Sequence, residues 1–253
     1  MRASKLPVTG NLSDRVVDYL IDYTRRHRLK SGETLPSEGM LSSKLKVSRG
    51  VVREAYRSLK TAGILDIANG RTPRVGRLTN QPVTQFLHHA LHTEQASTAH
   101  ALDVRGALDV RAAELAAMNR SDADADALRR EAAIMRASGS QRRRFINADL
   151  RFHEILGRAT GNPLFALLSS ALRASLDVTI RAGFDSRRSK AELDRVAQIH
   201  IDIADAVRAR SVAKARRAMR VHFKEAAAFV VDAEGSRRTI NQSRKALVST
   251  HLP

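Results

Sequence analysis

The stretch SEGMLSSKLKVSRGVVREAYRSLKTA, residues 37–62, holds two helix-start signals with only a short break between them. Ser37 can cap a short helix, EGMLSSKL, and Ser48 can cap a longer one that meets no further breaker until Gly63. In the longer helix Val52, Tyr56 and Leu59 fall on one side, leaving Ser48, Arg49 and Arg53 to project elsewhere. Upstream, LSDRVVDYLIDYTRRH (residues 12–27) spaces Leu12, Val16, Tyr19, Leu20 and Tyr23 as a helix does, with basic residues at the end where the helix dipole favours them. Between the two, LKSGETLPSE reads as a loop rich in turn formers. Downstream, GILDIANGRTPRV (residues 63–75) alternates apolar residues about Asn69-Gly70, a short-hairpin signal. Three helices followed by a basic hairpin describe a winged helix-turn-helix.

In that arrangement the N-terminal end of the third helix reaches base edges in the major groove, where an arginine can bond two acceptors of guanine at once. Arg49 and Arg53, one turn apart, suit this role. Composition supports a polyanionic partner. Lysine and arginine number 44 against 26 acids, for a formal charge of +18 and a pI near 11.3. Residues 1–80 hold 16 of the basic and 7 of the acidic side chains, a surplus of 9 and so half of the total excess. The chain has no cysteine, which excludes disulfides and thiolate metal ligands. No apolar run approaches the roughly 18 residues of a membrane span, and the start MRASKLPVTG lacks the apolar core of a signal peptide. A cytoplasmic protein is expected.

After a linker over residues 79–97, containing Pro82 and a short helix, nearly everything reads as helix. The segments are about 98–119, 122–138, 141–160, 163–182, 188–209 and 211–233, with Ser-Asp, Ser-Gly-Ser and Gly-Asn-Pro breaks between some of them. The expected fold class is therefore mainly α: a winged helix-turn-helix domain over residues 1–78, then an all-α antiparallel bundle over 98–233. The basic tail, residues 234–253, lacks periodicity and is expected to be disordered. His88, His89 and His92 are spaced poorly for one ion, and Arg142, Arg143 and Arg144 read as a helix start exposed to water.

In the helical half, NADLRFHEIL places Asp149 and His153 one turn apart on one helix face. His200 lies on a stripe with Ile203 and Val207, and His222 shares a face with Met219 and Ala226, so both point inward. A buried neutral imidazole can simply bond a carbonyl, but a buried, unpaired carboxylate costs several kcal/mol or must take up a proton. One divalent cation would satisfy all four, the oxygen and nitrogen donors suiting zinc first, with nickel and manganese as alternatives.

Two resemblances bear on these residues. LPSEGMLSSKLKVSRGVVREAYRSLKTAGIL resembles the DNA-binding domain of the GntR family of bacterial transcription regulators, through LPSE, VSR, VRE and the leucine and glycine before the wing. The resemblance implies that Arg49 and Arg53 touch bases or phosphates, that Ser48 caps the helix and touches a phosphate, and that Gly70 lies at the wing tip near the minor groove. It departs at Gly39, where the family usually has arginine, and in the wing, where NGRTPRV supplies Arg71 and Arg74 as alternative phosphate contacts. DVRGALDVRAAELAA, DLRFHEILGRATGNPLF, and the histidines of IHIDI and RVHF resemble the FCD ligand-binding domain of the FadR branch of that family. That implies a metal held by Asp149, His153, His200 and His222, completed by an effector's carboxylate, with Arg105 facing the effector. Gln198 stands where an acidic residue is typical, so bonding around His200 is expected to differ.

The expected protein is a regulator, a repressor relieved by a small carboxylate such as a sugar acid, and a homodimer on a near-palindromic double-stranded DNA operator. A metal-dependent enzyme and a nonspecific architectural DNA-binding protein are the alternatives. The enzyme would need open metal positions and a general base, and no well-placed base is evident.

Overall fold

The computed structural model describes residues 11–68, 71–139, 141–177 and 189–226 and divides into two compact units, Met1–Pro82 and Val83–Pro253. In the first, α1 (Leu12–Arg26), α2 (Glu38–Leu45) and α3 (Arg49–Thr61) precede β1 (Leu65–Asp66) and β2 (Arg74–Val75). Each helix starts on a capping side chain: Asn11, Ser37 and Ser48 accept from the backbone N–H groups of Asp14, Met40 and Val51. The turn between α2 and α3 passes through Lys46 in the left-handed region, at φ 55°. It is closed by the Ser42 hydroxyl donating to the Val47 carbonyl at 2.6 Å.

The three helices and β1 bury one core of Val16, Leu20, Leu41, Val52, Tyr56, Leu59 and Leu65. Tyr56 is the polar member: its hydroxyl donates to the Pro36 carbonyl at 2.6 Å, and burial raises its pKa, so the donor stays protonated. Leu12, expected on the same face, is instead exposed, because it stands at the first residue of α1 beyond the reach of the other helices.

The wing is longer than expected. β1 and β2 pair antiparallel with Leu65 opposite Val75 and Asp66 opposite Arg74. That register leaves residues 67–73 between the strands, where a two-residue turn at Asn69-Gly70 would have left only those two; both lie outside the described residues. Pro73, at the place of the next pair, has no N–H to give a ladder. Its carbonyl turns the other way and accepts from the Leu35 N–H at 2.8 Å. The segment read as a loop thus serves as a third edge: Val75 N–H donates to the Glu33 carbonyl, Gly32 N–H donates to the Val75 carbonyl, and Thr34 bridges Arg74. Such backbone pairing leaves no apolar alternation to read in LKSGETLPSE.

Among its described residues the second unit consists of helices and the short turns between them. α4 (Gln81–His92) begins at the division and is followed by α5 (Thr98–Asn119), α6 (Asp122–Ala137), α7 (Arg142–Ala159), α8 (Pro163–Ser175) and α9 (Lys190–Arg208). α10 occupies residues 212–226. Ser97, Ser121 and Ser189 each form a capping box, while Asn162 and Pro163 start α8. The core combines Ala113, Ala116 and Ala117 of α5 with Leu128 and Met135 of α6, Phe145, Phe152 and Leu156 of α7, Ile203 and Val207 of α9 and Met219 of α10. Small faces let backbones approach: a Cβ at Gly157 of α7 would stand 2.8 Å from the Ala166 Cα of α8. The helix ends expected at 178–182 and 227–233, and the tail 234–253, lie outside the described residues. No helix among the described residues is long and apolar enough to cross a membrane.

Candidate nucleic-acid interface and candidate metal centre

α3 presents its polar side to solvent. Arg49 and Arg53 are exposed and make no ion pair among the described residues, and Arg57, one further turn along, continues the row. Sequence reasoning missed Arg57, although its spacing of four from Arg53 was the available signal. No acidic residue occupies the first turn of α3, so the free N–H groups and the helix dipole add to the positive field of the arginines. Ser48 is exposed, and its hydroxyl already accepts from Val51 N–H at 3.3 Å, leaving its own proton to donate outward.

In the wing, Arg71 is exposed, whereas Arg74 donates through Nη1 to the Gly32 carbonyl at 2.7 Å. Part of Arg74 therefore braces the third edge. Gly70 lies outside the described residues. At Gly39 an added Cβ would meet nothing within 4 Å, so the absent arginine is not excluded by crowding.

In the helical unit Asp149 and His153 (α7), His200 (α9) and His222 (α10) come together in the core, each less than a tenth exposed. The three histidines offer ligand nitrogens within 4.8 Å of one another, with ring centroids 4.7–5.7 Å apart. Asp149 Oδ1 lies 2.9 Å from His200 Nε2 and 3.9 Å from His153 Nε2, and its other oxygen accepts from the Arg173 guanidinium.

The bonding of His200 tests whether a cation fits. Its Nδ1 stands 2.8 Å from the Val196 carbonyl, which can only accept, so Nδ1 carries a proton and a ring holding that one alone offers a lone pair at Nε2. That lone pair faces the Asp149 carboxylate at 2.9 Å without hydrogen-bond alignment. Two acceptors so close repel unless a positive charge, a proton or a metal ion, lies between them, and donors about 2.1 Å from one metal ion at right angles are separated by about 3 Å. Both nitrogens of His153 are also buried without a hydrogen bond. The donor set and its orphaned atoms fit a borderline divalent ion.

The local electrostatics keep these groups in ligating form. Burial alone would raise the Asp149 pKa, but the Arg173 guanidinium, the largest opposing influence, holds the carboxyl well below its usual range. Burial pushes the pKa values of His153 and His222 well below the ordinary imidazole value; the Asp149 carboxylate opposes this, and the Arg105 and Arg173 guanidiniums push the same way as burial. Both rings remain neutral and able to donate a lone pair.

Arg105 is buried, with its Nε 3.3 Å from Asp109 Oδ2 and its guanidinium carbon 5.1 Å from the centre of the Phe223 ring. Burial lowers its pKa from the usual guanidinium value. Two other buried charges, Arg173 and Asp109, were missed in the sequence. Arg173 carried a signal, as the one charged residue of PLFALLSSALRAS, whereas Asp109 reads like any i,i+4 partner of an arginine. Gln198, expected to affect His200, is exposed and engages Arg136 and Asp202; the Val196 carbonyl supports the imidazole instead.

Comparison with known proteins joins these two sites in one chain. Residues 12–75 match the gntR family of bacterial regulatory proteins, and residues 100–225 match the FCD domain. The HTH-type transcriptional repressor NanR of Salmonella schwarzengrund (strain CVM19633) is 31% identical over 220 residues, spanning 86% of this chain and 83% of that protein. NanR of Salmonella newport (strain SL254) gives the same identity over 86% of this chain and 84% of its own. Both relatives are HTH-type transcriptional repressors. Among solved structures, Streptococcus agalactiae GntR aligns at a TM-score of 0.59 and 21% identity, covering 85% of this chain and 98% of that one, a likeness of fold. An arginine-bearing third helix on a winged helix-turn-helix, joined to a helical domain of this type, makes the chain a member of the GntR family of bacterial regulatory proteins with a C-terminal FCD domain.

Proposed function

We propose that the protein is a cytoplasmic transcriptional repressor whose grip on DNA is released by a small carboxylate, a sugar acid or related organic acid, bound beside a divalent cation in the helical domain. A homodimer places two copies of α3 in successive major grooves of a near-palindromic operator, as two-fold proteins of this motif do. Arg49 and Arg53 read bases or phosphates, Ser48 donates to a phosphate, and Arg71, Arg74 and Gly70 form the wing's contact. Asp149, His153, His200 and His222 hold the cation, zinc by preference, and Arg105 faces the effector. A cation held there would supply a Lewis-acidic point for an incoming carboxylate. The surrounding side chains orient the ligands and exclude water.

The observation that carries the reading is the unaligned 2.9 Å approach of His200 Nε2 to the Asp149 carboxylate, beside a His153 whose two nitrogens have no partner. A cation accounts for both, and its charge, added to Arg105 and Arg173 against Asp109 and Asp149, leaves the buried site positive and receptive to an anion. Coupling between such a site and DNA binding is typically worth ~1–3 kcal/mol.

The test combines two assays on the full chain. In thermal-shift measurements with zinc present, a panel of sugar acids and organic acids is expected to yield at least one that raises Tm, and a chelator should abolish the effect. In gel shifts with DNA from the chain's own promoter region, the same acid should weaken binding severalfold, by ~5- to 150-fold. Operator affinity that no stabilising acid changes would refute effector control. Equal affinity for random DNA at physiological salt would support the architectural reading, since a regulator keeps a preference of ~1,000-fold or more.

A further inference from the structure

His153 is 6% exposed and lies between two carboxylates, hydrogen-bonded to neither. Nδ1 faces Asp109 Oδ2 at 3.5 Å, and Nε2 faces Asp149 Oδ1 at 3.9 Å. A neutral ring carries one proton, and its tautomer decides which nitrogen can ligate. Asp149 is committed elsewhere, to Arg173 through one oxygen and to the approach of His200 through the other. In Asp109, Oδ1 accepts from the Ser169 hydroxyl at 2.5 Å, while Oδ2 meets Arg105 Nε at 3.3 Å without an aligned hydrogen bond and so can still accept from the imidazole. The available acceptor is therefore on the Nδ1 side.

We propose that Asp109 is a positioning residue for His153: its carboxylate, anchored by Ser169 and Arg105, holds the imidazole in the Nδ1–H form and turns Nε2 toward the point where Asp149, His200 and His222 converge. The proposal deepens the metal reading above and rests on it only for its effect on affinity. Three elements meet in the brace: Arg105 and Asp109 come from α5, Ser169 from α8 and His153 from α7. The arrangement repeats at His200, where the Val196 carbonyl does for Nδ1 what Asp109 does at His153. Arg105 approaches the same Asp109 oxygen through Nε at 3.3 Å. An anion that draws the guanidinium away therefore leaves that oxygen to the imidazole alone, linking effector capture to metal affinity.

The experiment measures zinc affinity of the full chain by competition with a chromophoric chelator, and imidazole tautomers of the metal-free protein by long-range proton–nitrogen NMR. Two variants are compared with the parent, Asp109→Ala and the double change Arg105→Met with Asp109→Ala, the second leaving no unpaired guanidinium in the core. Both are expected to raise the zinc dissociation constant by ~10- to 100-fold, the usual cost of losing such a partner. In both, His153 loses its preference for the Nδ1–H form while His200 keeps its own, a difference that general loosening of the fold would not produce. An unchanged zinc affinity, or a parent protein in which His153 Nδ1 is unprotonated, overturns the proposal. A parent that binds no zinc overturns the metal reading instead, and the His153 tautomer still decides the role of Asp109.

Discussion

Arg53 tests the nucleic-acid interface at the smallest scale. It is exposed on α3, makes no ion pair among the described residues and has Arg49 and Arg57 one turn to either side. Arg53→Ala should weaken operator binding by ~1–3 kcal/mol if the side chain reads a base, with a selective loss at one operator position. If it meets a phosphate instead, the loss is general and the log–log salt slope becomes shallower by ~0.9. Fluorescence anisotropy at several salt concentrations distinguishes these outcomes, and unchanged affinity would remove Arg53 from the interface. The buried histidines make a second prediction. Folded His153 and His222 resist protonation, with pKa values held well below the 6.5 of an ordinary imidazole. As pH falls below about 6.5 the unfolded chain binds protons that the folded chain refuses, so stability declines with acid. Chelator-treated protein should melt at lower temperature near pH 5.5 than near pH 7.5; a flat profile over that interval would contradict the burial of neutral rings. The metal-site candidates were legible because Asp149 and His153 share a helix face and the other two histidines interrupt apolar stripes. Asp109 was not, since whether an Arg-Asp pair on α5 is solvated or enclosed depends on Ser169, sixty residues away.

At the level of elements, helix starts were the most readable feature. Serine and asparagine caps satisfy local backbone donors, and local bonds leave local signals. The wing was read less well because its register depends on Pro73 turning its carbonyl to Leu35 and on Val75 pairing with residues more than forty positions earlier. The α7–α8 contact provides the test at this scale. Alanine is a better helix former than glycine by about 1 kcal/mol, so Gly157→Ala would stabilise an isolated α7. In the protein the new methyl group would lie 2.8 Å from the backbone of Ala166. Overpacking typically costs ~1–3 kcal/mol, and the net change should be a lower Tm, measurable by calorimetry. A higher Tm would mean that α8 can move away from α7 without loss.

For the whole molecule, metal removal is the informative perturbation. A cation at one hundred times its dissociation constant stabilises the native state by ~2.7 kcal/mol, so chelation should lower Tm by several degrees. The loss should be much smaller in His222→Ala than in the parent; equal losses would show that the chelated ion binds elsewhere. The division into two units with different chemistry was legible from the charge excess of the first 80 residues and the apolar helices that follow.

The proposed ligands are spread along the chain, with Asp149 and His153 on α7, His200 on α9 and His222 on α10, in a protein without cysteine. An ion held by all four is a reversible crosslink, closing loops as a disulfide would but responding to chelators and acid rather than to reductants. It would tether the described end of α10 to the middle of the bundle, so amide exchange there should report the ion's departure before the rest of the core loosens.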